Sequence, residues 1–129
     1  MTATVPPAKT HSPDIIAASL TLLKIFHRLR DRHQSMSILQ AMCLVQVAAN
    51  PGINQKTLYE ELGATGSAAS RILALLSDIG DRNTAGLDLV KAVPGGVGNR
   101  ERLIYLTLKG KRLMEEIVED LQKSSGLPV

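Results

Sequence analysis

Five stretches of this chain place apolar residues at helical spacing, and two shorter runs carry strand-like β-branched residues. The first helix is announced by Ser12-Pro13-Asp14: a capping hydroxyl, a proline at the first helical position and an acid in the first turn. It should run to about His33. At 100° per residue, Ile15, Ile16, Leu20, Leu22, Leu23, Ile25, Phe26 and Leu29 spread over roughly 220° of its surface, about twice the width one packed face requires. Such width fits a central core helix, or one that packs on its own domain with one side and on a second subunit with the other. The second reading suits a first helix with so few neighbours to surround it.

Ser35 or Ser37 caps the next helix, which continues through Ile38, Leu39, Met42, Cys43, Leu44, Val45 and Val47 to Asn50, where Pro51-Gly52 stops it. Its residues are apolar nearly all round, which predicts the buried centre of the domain. Cys43 inside it reads as a small buried hydrophobe, because a reactive thiol needs exposure and a cationic neighbour.

After the stop comes INQKTLYEELGATGSAASRILALLSDIG (53–80). Asn54 caps a short helix that sets Leu58 and Leu62 one turn apart on the core side. Gly63 sits where a helix ends in a left-handed residue, and Thr65 caps a further helix just beyond it. Two helices joined by a tight, glycine-containing turn define a helix–turn–helix. In the second of them Ala69, Ile72, Leu73, Leu76 and Ile79 mark the buried face, and Ser67, Arg71, Ala74 and Asp78 the opposite one. A helix entering the major groove needs short side chains near its N-terminus and a cation within reach of a base or phosphate. Thr65, Ser67, Ala68, Ser70 and Arg71 meet that requirement.

The strand-like runs are LDLVKAV (87–93) and RLIYLTL (102–108), joined by a glycine-rich tip from Pro94 to Glu101. The tip lacks the Lys-Ser/Thr pair and following helix of a phosphate-cradling loop, so it reads as a hairpin turn. A helix–turn–helix followed by a hairpin is a winged helix. Lys91, Arg100 and Arg102 supply cations on the wing, where a narrow groove with its negative potential would meet them. Thr107 opens a final helix with Leu113, Met114, Ile117, Val118 and Leu121 on one face. Lys109, Lys111 and Arg112 at its start oppose the helix dipole, an arrangement that a nearby phosphate would reward.

Composition narrows the function. The 129 residues suffice for one domain, divided as an N-terminal arm expected to be disordered (1–11), a winged helix–turn–helix domain (12–123) and a C-terminal tail (124–129). Aromatic residues make up 2% of the chain, and a core of Leu, Ile, Val and Ala favours packed helices over a β-sandwich. The fold class expected is mainly α with a small β-hairpin. Net charge is +3, compatible with nucleic acid without demonstrating it. One cysteine rules out an intrachain disulfide or a multi-cysteine zinc site. No signal-like segment opens the chain, and the longest apolar stretch (41–49) is too short to span a bilayer, which points to the cytoplasm and away from membranes. His11, His27 and His33 have no nucleophile pattern near them, so neither an enzyme nor a cofactor is indicated. The polar groups converge on no recognisable pocket, and a small-molecule effector is not indicated either.

Two blocks carry a family likeness. LGATGSAASRILALL (62–76) and RERLIYLTLKGKRL (100–113) resemble the turn, recognition helix, wing arginine, second wing strand and "LT-x-x-G" helix start of the MarR family of bacterial transcription regulators. The resemblance implies that Ser67, Ala68, Ser70 and Arg71 face the major groove and that Arg100 enters the minor groove from the wing. In the family the wing strand follows the recognition helix almost directly, whereas here GDRNTAG (80–86) intervenes. The expectation is a homodimeric regulator that binds double-stranded DNA. A winged helix used for protein contacts, or as a replication or assembly module of a plasmid or phage, stays open beside it.

Overall fold

A computed structural model describes residues 12–95 and 101–123. The N-terminal arm, the C-terminal tail and the wing tip (96–100) with Arg100 lie outside the described residues. The elements run α1 (Pro13–Arg32), α2 (Ile38–Ala49), β1 (Ile53–Asn54), α3 (Gln55–Leu62), α4 (Gly66–Leu76), β2 (Val90–Pro94), β3 (Arg102–Leu106) and α5 (Leu108–Lys123). This is a winged helix–turn–helix, with α3 and α4 as the paired helices and β2–β3 as the wing.

The helix starts form as their capping residues predict. Ser12 accepts from the Ile15 amide, Asn54 from that of Lys56 and Thr65 from that of Ala68. Ser37, not Ser35, caps α2: its hydroxyl accepts from the Gln40 amide while the Gln40 side chain accepts from Ser37 N, a reciprocal capping box. Gly63 ends α3 at φ 66°, ψ 21°, the left-handed geometry expected of that glycine.

Leu44, Leu58, Leu76, Leu89, Ile104 and Leu113 are fully buried and draw α2, α3, α4, the sheet and α5 around one core. The sheet is antiparallel in the order β1-β3-β2. Its third strand was not foreseen: two residues, Ile53 and Asn54, pair with Ile104 and Leu103. The hairpin strands are shorter than their apolar runs suggest. Leu87, Asp88 and Leu89 bond instead to the end of α4, and Thr107 leaves the ladder to cap α5.

Two expectations about packing are corrected. The second helix is not buried all round: Cys43, Leu44 and Val47 are buried, but Ile38, Leu39, Met42 and Val45 are exposed, because no element among the described residues covers that side. Ile79 does not belong to the buried face of the recognition helix. The helix ends at Leu76 with Ser77 as its cap, and Ile79 is 75% exposed.

The first helix turns its bulky side chains outwards. Ile15, Ile16, Leu20, Leu22, Leu23 and Phe26 are exposed, whereas Thr21 and Leu29 are buried and Ala17, Ala18, Ile25 and Arg28 are half-buried. Arg28 donates from Nε and Nη2 to the two carboxylate oxygens of Asp120 on α5, the second at 2.9 Å, and both Arg28 and Arg32 approach Glu116. The Asp120 side chain is only 2% exposed, and the guanidinium bonded to it holds its carboxyl below the ordinary 3.8 despite that burial.

Candidate nucleic-acid interface

The N-terminal half of α4 presents Thr65, Ser67, Ser70 and Arg71 to solvent. Ala69, Ile72, Leu73 and Leu76 anchor its other side, so packing fixes which residues point out. Thr65 uses its oxygen as the cap, with the Ala68 amide at 3.2 Å. Ala68 is half-buried, which turns it partly away from the surface that the serines define. Arg71 has no hydrogen-bond or ion-pair partner among the described residues, and α4 carries no acid. The result is a smooth polar surface with one free guanidinium a turn beyond Ser67. Short side chains allow close approach to a duplex, and the cation can pair with guanine or phosphate.

The wing divides its cations. Lys91 pairs with Tyr105 and Arg102 with Pro94, so the two basic residues stand on opposite faces of the hairpin and three residues apart along it. Arg102 lies at the tip end, beside the start of α3, and shares a cleft with Asn54, Gln55, Lys56, Tyr59, Glu60 and Glu101. Lys91 lies near the base on the other face. The hairpin stays closed as far as Gly95, whose amide donates to Glu101 O at 2.8 Å. Sequence reasoning placed Arg100 at the tip, outside the described residues, and grouped Lys91 with Arg102; the register separates them.

Lys56 and the Gln55–Tyr59 pair, whose side chains bond at 3.1 Å, are neighbours of Arg102 that the sequence did not single out. The short pairing of β1 with β3 brings them there. A two-residue strand has no periodicity to read, so the only available signal was Asn54 as the cap of α3.

A groove of about 530 Å³ between the end of α2, the outer sheet face and the start of α5 is lined by Val47, Ala48, Pro51, Val93 and Leu106, with Lys91, Lys111 and Tyr105 around it. Cys43 is fully buried, and desolvation pushes its thiol up to about 12, which makes it the inert hydrophobe expected. Among the described residues no group of His, Cys, Asp and Glu is placed to hold a metal ion, and no helix is long and apolar enough to cross a membrane.

No protein-family profile and no curated protein matches this chain. Solved structures do match it, and they define the class by fold. The chain is 24% identical to Rv1404 from Mycobacterium tuberculosis over 95% of its own length and 79% of that protein's, with a TM-score of 0.65. A structure of Staphylococcus aureus MepR in complex with DNA aligns at 18% identity and TM-score 0.67, covering 86% of this chain and 83% of that one. MarR itself aligns at 17% identity and TM-score 0.57, over 87% and 77%. The architecture is that of the MarR-like winged helix–turn–helix proteins.

Proposed function

We propose that this chain is a cytoplasmic, homodimeric regulator of transcription that binds specific sites in double-stranded DNA. The observation that carries this reading is the outward face of α4: Ser67, Ser70 and an Arg71 left unpaired on a helix without acids, in a fold shared with a protein solved on DNA. In this reading α4 enters the major groove, with Arg71 reaching base or phosphate and Thr65, Ser67, Ala68 and Ser70 lining the approach. The wing follows the adjacent minor groove, with Arg100 and Arg102 as its cations. Lys91, on the opposite face of the hairpin, has the weaker case as a contact. Dimerisation is supported by the outward apolar side of α1, which Val118 and Leu121 of α5 extend in kind. A dimer would read a palindromic site with half-sites about 10 bp apart, or a multiple of that.

The test is selection of bound sequences from random duplex DNA by the purified full chain, without added small molecule, followed by a salt titration on the winner. A palindromic consensus and an affinity that falls steeply with salt are expected. Recovery of no consensus would favour the winged helix as a protein-interaction module.

A further inference from the structure

We propose that the groove between the end of α2, the outer sheet face and the start of α5 docks an extended acidic segment of another protein, which joins β2 as a fourth strand.

The strand order leaves one side of β2 open. The sheet runs β1-β3-β2, so β2 pairs with β3 alone. Along an antiparallel ladder, residues alternate between bonding to the neighbouring strand and turning their backbone groups away from it. Two bonds fix the phase here: Thr107 N donates to Leu89 O, and Gly95 N donates to Glu101 O. Lys91 and Val93 fall in step with these and face Tyr105 and Leu103 of β3. Val90, Ala92 and Pro94 fall out of step and turn their backbone groups to the open side. Ile104, opposite Ala92, agrees with this phase, because its carbonyl accepts from Gly52 N on the far side of β3. A proline is tolerated at such an outward position, where its missing N–H removes no ladder bond. Ala92 is exposed and offers one donor and one acceptor; Pro94 offers a further carbonyl.

The groove lies against the same strand. Val47, Val93 and Leu106 give it an apolar floor, Lys91 and Lys111 flank it, and no acid lines it. Neither lysine enters an ion pair among the described residues. Tyr105 adds a phenol, held close to Gly52: a Cβ on that glycine, whose φ is 83°, would stand 2.9 Å from the phenolic oxygen.

An occupant has three features to match: an edge of backbone groups, an apolar floor and two uncompensated cations. An extended peptide matches all three with one periodicity. Its backbone pairs with Ala92 while every second side chain faces the groove, where apolar residues meet the floor and carboxylates meet the lysines. A small aromatic acid would fill the floor and leave the edge unpaired. A second copy of β2 is disfavoured, because lysine and proline on an edge strand keep like edges apart. Lys91 stands on the face of the hairpin opposite Arg102, so the docked segment and a duplex at Arg102 occupy different faces.

The probe is a phage-displayed library of short random peptides, selected on the full chain, with the best binder then synthesised. The selected sequences should alternate apolar and acidic residues. Lys91→Glu and Lys111→Glu should each weaken the synthetic peptide at least about tenfold with helical content kept. In the parent, saturating peptide should slow hydrogen exchange of the Ala92 amide at least about tenfold. Selection of no peptide, or of peptides without acids, overturns the proposal. Unchanged exchange at Ala92 overturns the added strand. Peptides that bind Lys111→Glu like the parent and are lost in Leu23→Glu would belong to α1 and overturn the site. Benzoate that binds the groove as tightly as the selected peptide would make it a small-molecule site, and that too overturns the proposal.

Discussion

From Asn54 to Leu106, the aliphatic side chains Leu58, Leu62, Leu73, Leu76, Leu89 and Ile104 are all buried, and the exposed positions early in α4 are Ser67, Ser70 and Arg71. On the outer side of α1 and α2 the order is reversed. Leu20, Leu22, Leu23, Phe26, Ile38 and Met42 are exposed, while Thr21 is buried and Arg28 half-buried. Both regions are built from the same kinds of apolar residue, so hydrophobicity alone does not distinguish them. The difference lies in whether the chain supplies a partner for the apolar face. The reading head shares one core with the inner side of α2 and with α5 and offers a polar surface on α4; the outer side of α1 and α2 is left open and offers an apolar one. An apolar surface of this extent, left open among the described residues, is what the proposed dimer would cover.

The sharpest way to break this comparison is to make one kind of substitution in each region. Leu58→Ala removes a fully buried side chain from the reading head and should cost about 2–5 kcal/mol of unfolding free energy. Leu23→Ala, at a position 53% exposed, should change the stability of the dilute protein by less than about 0.5 kcal/mol. Denaturant melts of both variants check the pair. Equal losses would mean that α1 is covered within its own chain.

Leu23→Glu then asks what covers it. Sedimentation of the parent at micromolar concentration should give about twice 13.9 kDa, and the glutamate variant should give the monomer with its helical content kept. A parent that sediments as a monomer would remove the dimer from the proposal.

The reading head was the more legible region because short-range signals specify it. Asn54, Gly63, Thr65 and the spacing from Ala69 to Leu76 each act within a turn or two, and each stands where its chemistry predicts. What could not be read depends on distant partners. β1 exists because Ile53 and Asn54 find β3 some fifty residues later, and no local pattern encodes that. Ile79 continues the apolar spacing of α4, but the segment 80–89 takes up the helix's final carbonyls and ends it first. The apolar width of α1 was legible. That its own domain would take the small and polar side was not, since Arg28 faces inwards only because Asp120 waits 92 residues away. Of the residues expected on the outward face of α4, Ser67, Ser70 and Arg71 are exposed, Ala68 and Ala74 are half-buried, and Asp78 lies beyond the helix's end at Leu76. The wing cations were not separated, because faces follow from the register of β2 on β3.

On the polar surface of the reading head the expected effects are smaller. Arg71→Ala should cost on the order of 1–3 kcal/mol of DNA affinity and relax preference at one position of each half-site if the guanidinium pairs with a guanine. Competition binding against single-base variants of the selected site reads this. A uniform loss across all sequences would assign Arg71 to a phosphate. Arg102→Ala should leave base preference intact and reduce the salt slope by about one unit per subunit. An unchanged slope would place Arg102 off the duplex.

The smallest effect sharpens the other side of the comparison, where α1 is held with its apolar face outwards. Arg28 is the polar anchor of that helix, and Asp120 is its buried partner. The guanidinium lowers the folded carboxyl from its ordinary 3.8, so ionised Asp120 favours the folded chain. That contribution is fully present above the ordinary value and disappears as pH falls through the lowered one. Lys24 and Lys123 add to the lowering, and Glu116 and Glu119 act on the same arginine. Asp120→Asn removes the charge and keeps the shape. The melting temperature of the parent should exceed that of the variant by a constant margin near neutral pH, and the margin should shrink as pH drops below about 4. A margin independent of pH would show that shape at Asp120, and not its charge, orients α1.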